Sequence, residues 1–278
     1  MSNNTENLSE TPVKLPVFAT LFGCYSLLMD KFKQFVFLGT AFAVILMIIY
    51  IAGGQDALCV NNVYRQTHFC TNNVVVFVLV HLLTLFILCI FMRNWYQIVL
   101  QNKPITFRRL FIPQKADFKI LGLIVCYFLT LAVAGFSVYL LYIRVPNPDW
   151  RIELGYFAVV SLGFLVPFLA LKFVSYFAFA ADNASLPSPM VLWHKTAGNT
   201  FLILSSVIVL MMIGLFLSQA LLGSFMAGGE GISKFYVMLG SEYLSDMAVI
   251  FIAACFMNYC YLQKRFLFER NENGNSGN

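Results

Sequence analysis

Residues 74–91 read VVVFVLVHLLTLFILCIF, eighteen positions that hold one histidine and no formally charged side chain. A helix needs about 20 apolar residues to cross the hydrocarbon of a bilayer. This stretch comes close to that length and is followed by Trp95 and Tyr96, rings suited to the headgroup level. Five more stretches have the same character: Gln34–Gly53, Ile120–Ile143, Leu154–Phe173, Thr200–Gly223 and Tyr243–Leu262. The reading is an all-α polytopic membrane protein with six transmembrane helices. A membrane barrel would show apolar–polar alternation in short segments, and none is visible here.

Composition agrees. The 278 residues are 60% hydrophobic and 11% charged, with a mean hydropathy of +0.77, and include 29 Phe and 13 Tyr. Soluble domains carry roughly 25% charged residues, and this chain cannot furnish such a skin. Residues 1–12 are polar, carry Glu6 and Glu10 and lack a basic leader, so they read as a disordered tail rather than a signal peptide. Residues 269–278 read as a second disordered tail, which leaves 13–268 as one six-helix domain.

Orientation follows from Lys and Arg, which concentrate in cytoplasmic loops. With the N-terminus inside, 14 of the 18 basic residues fall on the inner side, including Lys31, Lys33, Arg93, Arg108, Arg109, Lys119, Lys195 and Lys264. Four fall outside: Arg65, Arg144, Arg151 and Lys234. Both termini are therefore expected in the cytoplasm. The alternation also supports the span count, because one missed helix would scramble it.

The segments before spans one, three and five share a pattern. Leu15–Asp30, Ile105–Pro113 and Pro187–Trp193 are semi-apolar pieces, each leading through a polar step to the next span. This predicts three hairpins, each introduced by an amphipathic interfacial helix at the inner leaflet. The simpler alternative is that any inward loop needs a polar step before the chain returns to the bilayer.

Few residues suggest chemistry. Cys59 and Cys70 share one outer loop, where an oxidising compartment would favour a disulfide; two unpaired thiols are the alternative. His68 lies between them, but no fourth ligand or standard spacing supports zinc. The remaining cysteines read as small apolar packers. His81 is ionisable and lies well inside a span, which makes it a functional candidate. It could pair with Glu242 or Asp246 near the outer start of span six, or simply bond to a neighbouring backbone group as a neutral imidazole. Arg108 and Arg109 sit in the most basic inner loop and would attract anionic lipid headgroups, or serve only to orient the chain. Gly228–Gly231 reads as a flexible outer turn, with a short interfacial helix beginning near Ile232. Walker, HExxH and Ser/His/Asp patterns are absent. No metal, no other cofactor and no nucleic-acid partner is expected.

The stretch Leu171–Phe201, LKFVSYFAFAADNASLPSPMVLWHKTAGNTF, carries Trp193, Thr196, Gly198 and Asn199 in a Trp-x-x-Thr-x-Gly-Asn pattern. It resembles uncharacterised six-span bacterial inner-membrane proteins and the membrane domain of some glycerophosphodiester phosphodiesterases. The segment Trp95–Pro113 and the ending Tyr261–Leu267 look similar to that group as well. The resemblance implies a six-span fold in a bacterial inner membrane, without the soluble catalytic barrel of the phosphodiesterases. Independently of it, Trp193 suits an interfacial anchor and Asn199 an N-cap for span five. The function expected is a non-enzymatic accessory or scaffold role in the envelope. A small transporter or channel for a lipid or other amphiphile is the second reading, and a membrane-embedded enzyme the third.

Overall fold

Among the described residues, the uncharged stretches are helical. The computed structural model describes residues 17–53, 74–104, 106–144, 173–197, 199 and 234–269, with single positions at 153, 155, 203, 205, 209, 212, 216 and 220. The described elements are α1 (Val17–Asp30), α2 (Phe32–Gly53), α3 (Val74–Asn94), α4 (Phe107–Phe111), α5 (Lys115–Arg144), α6 (Ser175–Ala181), α7 (Pro189–Lys195) and α8 (Lys234–Lys264). Two wider π-helical segments, Trp95–Leu100 and Arg265–Glu269, continue α3 and α8. No strand occurs among the described residues.

Among the described residues four helices are long and apolar enough to cross a membrane: α2, α3 with its continuation, α5 and α8. They coincide with expected spans one, two, three and six. The fourth and fifth, Leu154–Phe173 and Thr200–Gly223, lie largely outside the described residues. At about 1.5 Å per residue, the 31 residues of α8 extend about 46 Å, more than the roughly 30 Å of hydrocarbon. The start of the short helix expected near Ile232 lies outside the described residues; from Lys234 onward the chain runs unbroken into the span-six helix, through Gly240.

Ring contacts set the directions. Phe42 meets Phe91, Phe35 meets Trp95 and Tyr50 meets His81, so α2 and α3 are antiparallel. Phe86 meets Phe118, which makes α5 antiparallel to α3. Thr40 bonds Tyr243 and Phe35 meets Phe251, so α8 is antiparallel to α2. A Cβ at Gly39 would stand 3.4 Å from Met247 Cε, a close helix approach of the kind small residues permit in membranes.

One end of this bundle gathers Lys31, Arg93, Asp117, Asp182 and Lys264 and is called the basic end below. α1 joins α2 there through a bend without a loop, since Lys31 N bonds Leu27 O and Phe35 N bonds Lys31 O. α1 packs on the last turns of α8, where a Cβ at Gly23 would lie 3.1 Å from Leu262 Cδ1. The second and third leading segments form α4, shorter than Ile105–Pro113, and α7, of the expected length but two residues further along than Pro187–Trp193. Each is N-capped by a hydroxyl: Thr106 accepts from Arg109 N, and Ser188 from Val191 N. Each follows an asparagine in the left-handed region, Asn102 (φ 53°) and Asn183 (φ 58°), which ends the preceding helical segment.

Candidate functional site

Many polar groups of the described chain converge at the basic end, where they form three clusters. The first is a buried ion pair. Arg93 Nε lies 3.2 Å from Asp117 Oδ1, and both side chains are 0% exposed. The rest of the guanidinium donates to the main-chain oxygens of Arg109 and Ile112, and Asn94 Nδ2 donates to Leu110 O at 2.8 Å. Asp117 Oδ2 accepts from Gln114 N at 2.7 Å at the start of α5. A helix end, a short helix and a helix start are thus tied around one charge pair. Buried charges persist only when paired and hydrogen-bonded, and here both conditions hold.

The second cluster runs through the core. Trp95 Nε1 donates to Asn258 Oδ1 at 2.8 Å, and Asn258 Nδ2 donates to Cys24 O at 2.9 Å. One buried amide therefore links the end of α3, α8 and α1. All six residues of Trp95–Leu100 are buried, so this wider turn is enclosed on every side.

The third cluster centres on Asp182, just past α6. Lys264 Nζ donates to its Oδ2 at 3.1 Å, Gln101 Nε2 donates to its Oδ1 at 2.8 Å, and Lys103 Nζ stands 3.6 Å away. Burial pushes this carboxyl up, but the hydrogen bonds from Gln101 and Lys264 and the two lysine charges outweigh it. The net result is a value below the ordinary one. Gln97 Nε2 donates to Ala181 O, and Lys264 also donates to Tyr96 Oη. The ends of α3, α6 and α8 are joined by these bonds.

A further regularity involves the polar steps. Lys31 Nζ donates to Asn102 Oδ1, Lys119 Nζ to the carbonyls of Asn183 and Ala184, and Lys195 Nζ to Leu267 O. Each lysine reaches the closing turn that lies one step further along the chain. A cation at a helix C-terminus offsets the partial negative charge of the last carbonyls.

The residues singled out from sequence are distributed differently. His81 Nδ1 is 2.8 Å from Phe77 O, one turn back on its own helix, and its ring meets Phe77 and Tyr50. Asp246 is buried on α8; Glu242 lies on the same helix, and its side chain is not described. Arg109 donates to Pro104 O, whereas Arg108 is exposed. Thr196 is buried and donates to Leu192 O. Asn199 is buried and its carbonyl accepts from Ile203 N, as that of an N-cap residue does. Trp193 is partly exposed beside Phe173. Cys59, Cys70 and Gly198 lie outside the described residues. Cys24, Cys89, Cys255 and Cys260 are free and buried, and Cys126 is free and exposed.

Sequence reasoning missed Arg93, Asp117, Asn258 and Asp182, and it read Trp95 and Tyr96 as headgroup-level rings, whereas both are buried in the core because their polar tips bond Asn258 and Lys264. Arg93 was treated only as an orienting charge. The available signal was a polar residue inside or beside an apolar run, which must find a partner in lipid. Among the described residues no three metal-binding side chains come together. No family model, no curated protein and no solved structure matches the chain.

Proposed function

We propose that the chain is a non-enzymatic accessory or scaffold protein of a bacterial inner membrane, with six spans and both termini in the cytoplasm. The observation that carries this reading is that protein groups engage most of the polar side chains at the basic end, with the buried Gln263 amide and Ser175 hydroxyl as exceptions that find no hydrogen-bond partner among the described residues. Arg93, Asp117, Asn94, Asn258, Asp182 and Lys264 bind one another or nearby main chain. A catalytic or transport site holds polar groups ready for a substrate, whereas this arrangement uses them to hold helices together. The lysine contacts at three successive closing turns support the three-hairpin plan. The split of basic residues supports a cytoplasmic basic end, and exposed Arg108 suits anionic headgroups there. The resemblance around Trp193–Asn199 supports the location.

The test is flux in proteoliposomes containing the full chain. Ions and fluorescent short-chain lipids should cross at the rate of protein-free vesicles, and His81→Ala should restore the phenotype of a deletion strain as well as wild type does. Saturable flux abolished by His81→Ala would overturn the scaffold reading in favour of transport.

A further inference from the structure

Most lysines at the basic end are engaged. Lys31, Lys103, Lys119, Lys195 and Lys264 each approach a protein oxygen. Lys33 is exposed and has no hydrogen bond or ion pair among the described residues. It stands at the mouth of an open groove of about 370 Å³ between α2 and the turn after α3, lined by Lys33, Gln34, Phe37, Leu38 and Ile98. The walls are therefore apolar, with one ammonium and one amide at the rim.

Beyond the groove, an exposed apolar stripe continues along α2. Phe37, Val44, Ile48 and Ile51 are all exposed. They follow Lys33 at spacings of four, seven, four and three residues, which places them on one helical face. From Phe37 to Ile51 the stripe is about 21 Å long at 1.5 Å per residue. One leaflet contributes about half of the roughly 30 Å hydrocarbon, so the stripe is long enough for a full acyl chain. A cation at one end and a leaflet-length apolar track beyond it match the two parts of an anionic phospholipid.

We propose that this groove binds one phospholipid of the basic-end leaflet. Lys33 pairs with the phosphate, Gln34 offers an amide hydrogen bond, and an acyl chain lies along Phe37 and the α2 stripe. The site is separate from Arg108 and Arg109 and does not depend on the scaffold reading, though it does require that α2 cross the bilayer. Charge selects the headgroup, while the track excludes a free phosphate ester, which could bury nothing there.

The experiment is native mass spectrometry of the full chain extracted in detergent. Phosphatidylglycerol, phosphatidylcholine or glycerol phosphate is added in equal amounts. Wild type should retain one phosphatidylglycerol in preference to phosphatidylcholine and retain no glycerol phosphate. Lys33→Gln should lower that preference roughly five-fold, as expected for one charge near the headgroups, and Phe37→Asp should abolish retention. Lys115→Gln, another exposed lysine at the same end, should change nothing. Unchanged melting in detergent alone would show that the variants are folded. Equal retention by wild type and Lys33→Gln, or equal retention of glycerol phosphate, would overturn the site. Release of the chain from membranes by alkaline carbonate would overturn the membrane reading on which it rests, an outcome distinct from loss of lipid preference.

Discussion

Followed from Val75 to Leu100, α3 and its continuation pass through two different environments. At the far end Val75, Leu79 and Leu82 are more than half exposed, and His81 bonds only a carbonyl of its own helix among the contacts found. From Cys89 onward every residue is buried. The same contrast holds on α5, where Ala116, Asp117 and Ile120 are buried, whereas Phe128, Val133 and Phe136 are exposed. In lipid, apolar side chains gain little by leaving one another's surfaces for the bilayer, so packing there needs no dense core. Polar groups are costly without partners, and they draw the helices together. The basic end is thus held by a dense set of specific bonds and rings, and the far end by fewer of them, among them Thr40–Tyr243 and Tyr50–His81.

Breaking the buried ion pair should have the largest effect. Asp117→Ala leaves the Arg93 guanidinium buried without its charge partner, beside neutral oxygens of Arg109, Ile112 and Asn94. It should destabilise the fold by about 3–5 kcal/mol, whereas the double variant Arg93→Met, Asp117→Leu should recover much of that. Chemical unfolding in mixed micelles measures both. A loss below about 1 kcal/mol for Asp117→Ala would place the pair among weak surface contacts and remove the contrast.

Asn258→Ala should come next. It strands Trp95 Nε1 in the core and removes the second bond to Cys24 O, at a cost of about 1–3 kcal/mol. The indole N–H should then exchange with solvent faster, which NMR can follow.

Asp182→Asn should cost less, about 1 kcal/mol, because this carboxyl is partly exposed and its partners are partly screened. Its sign with pH is fixed by the direction of the shift. The folded carboxyl has the lower pKa, so its stabilisation is complete above the ordinary carboxylate value of about 4. It is lost as pH falls through the lower folded value. Melting of wild type should therefore decline in acid more steeply than melting of Asp182→Asn.

The smallest effect belongs to the far end. Leu82→Ala, at an exposed position, should change stability by no more than about 0.5 kcal/mol. A cost similar to that of Asn258→Ala would show that the far end packs as tightly as the basic end.

Much of the fold was legible before any coordinates. Hydropathy sums over a window, so Val74–Phe91 and its counterparts announce helices whatever surrounds them. The leading segments were also visible, although their bounds were not: Ile105–Pro113 yields a helix only over Phe107–Phe111, because Pro104 and Pro113 bracket it. The site was largely illegible. Asp117 and Arg93 are 24 positions apart, Trp95 and Asn258 163 apart, and no local pattern says which buried polar group will meet which. His81 drew notice because it is ionisable, yet the more connected polar residues lay one or two turns from the ends of the apolar runs.

The amino-acid sequence by itself determined that this chain is helical, that its long apolar helices suit a bilayer, and on which side of each its charges gather. Those properties depend on residues counted along one segment. Only the tertiary structure decided that Arg93 is a partner of Asp117 and not a free orienting charge, that Asn258 joins three helices, and that Lys33 is left facing an apolar groove. Those outcomes depend on which helix ends meet in space. The free energy of a buried charge or amide is set by its neighbours within a few ångströms rather than by its neighbours in the chain.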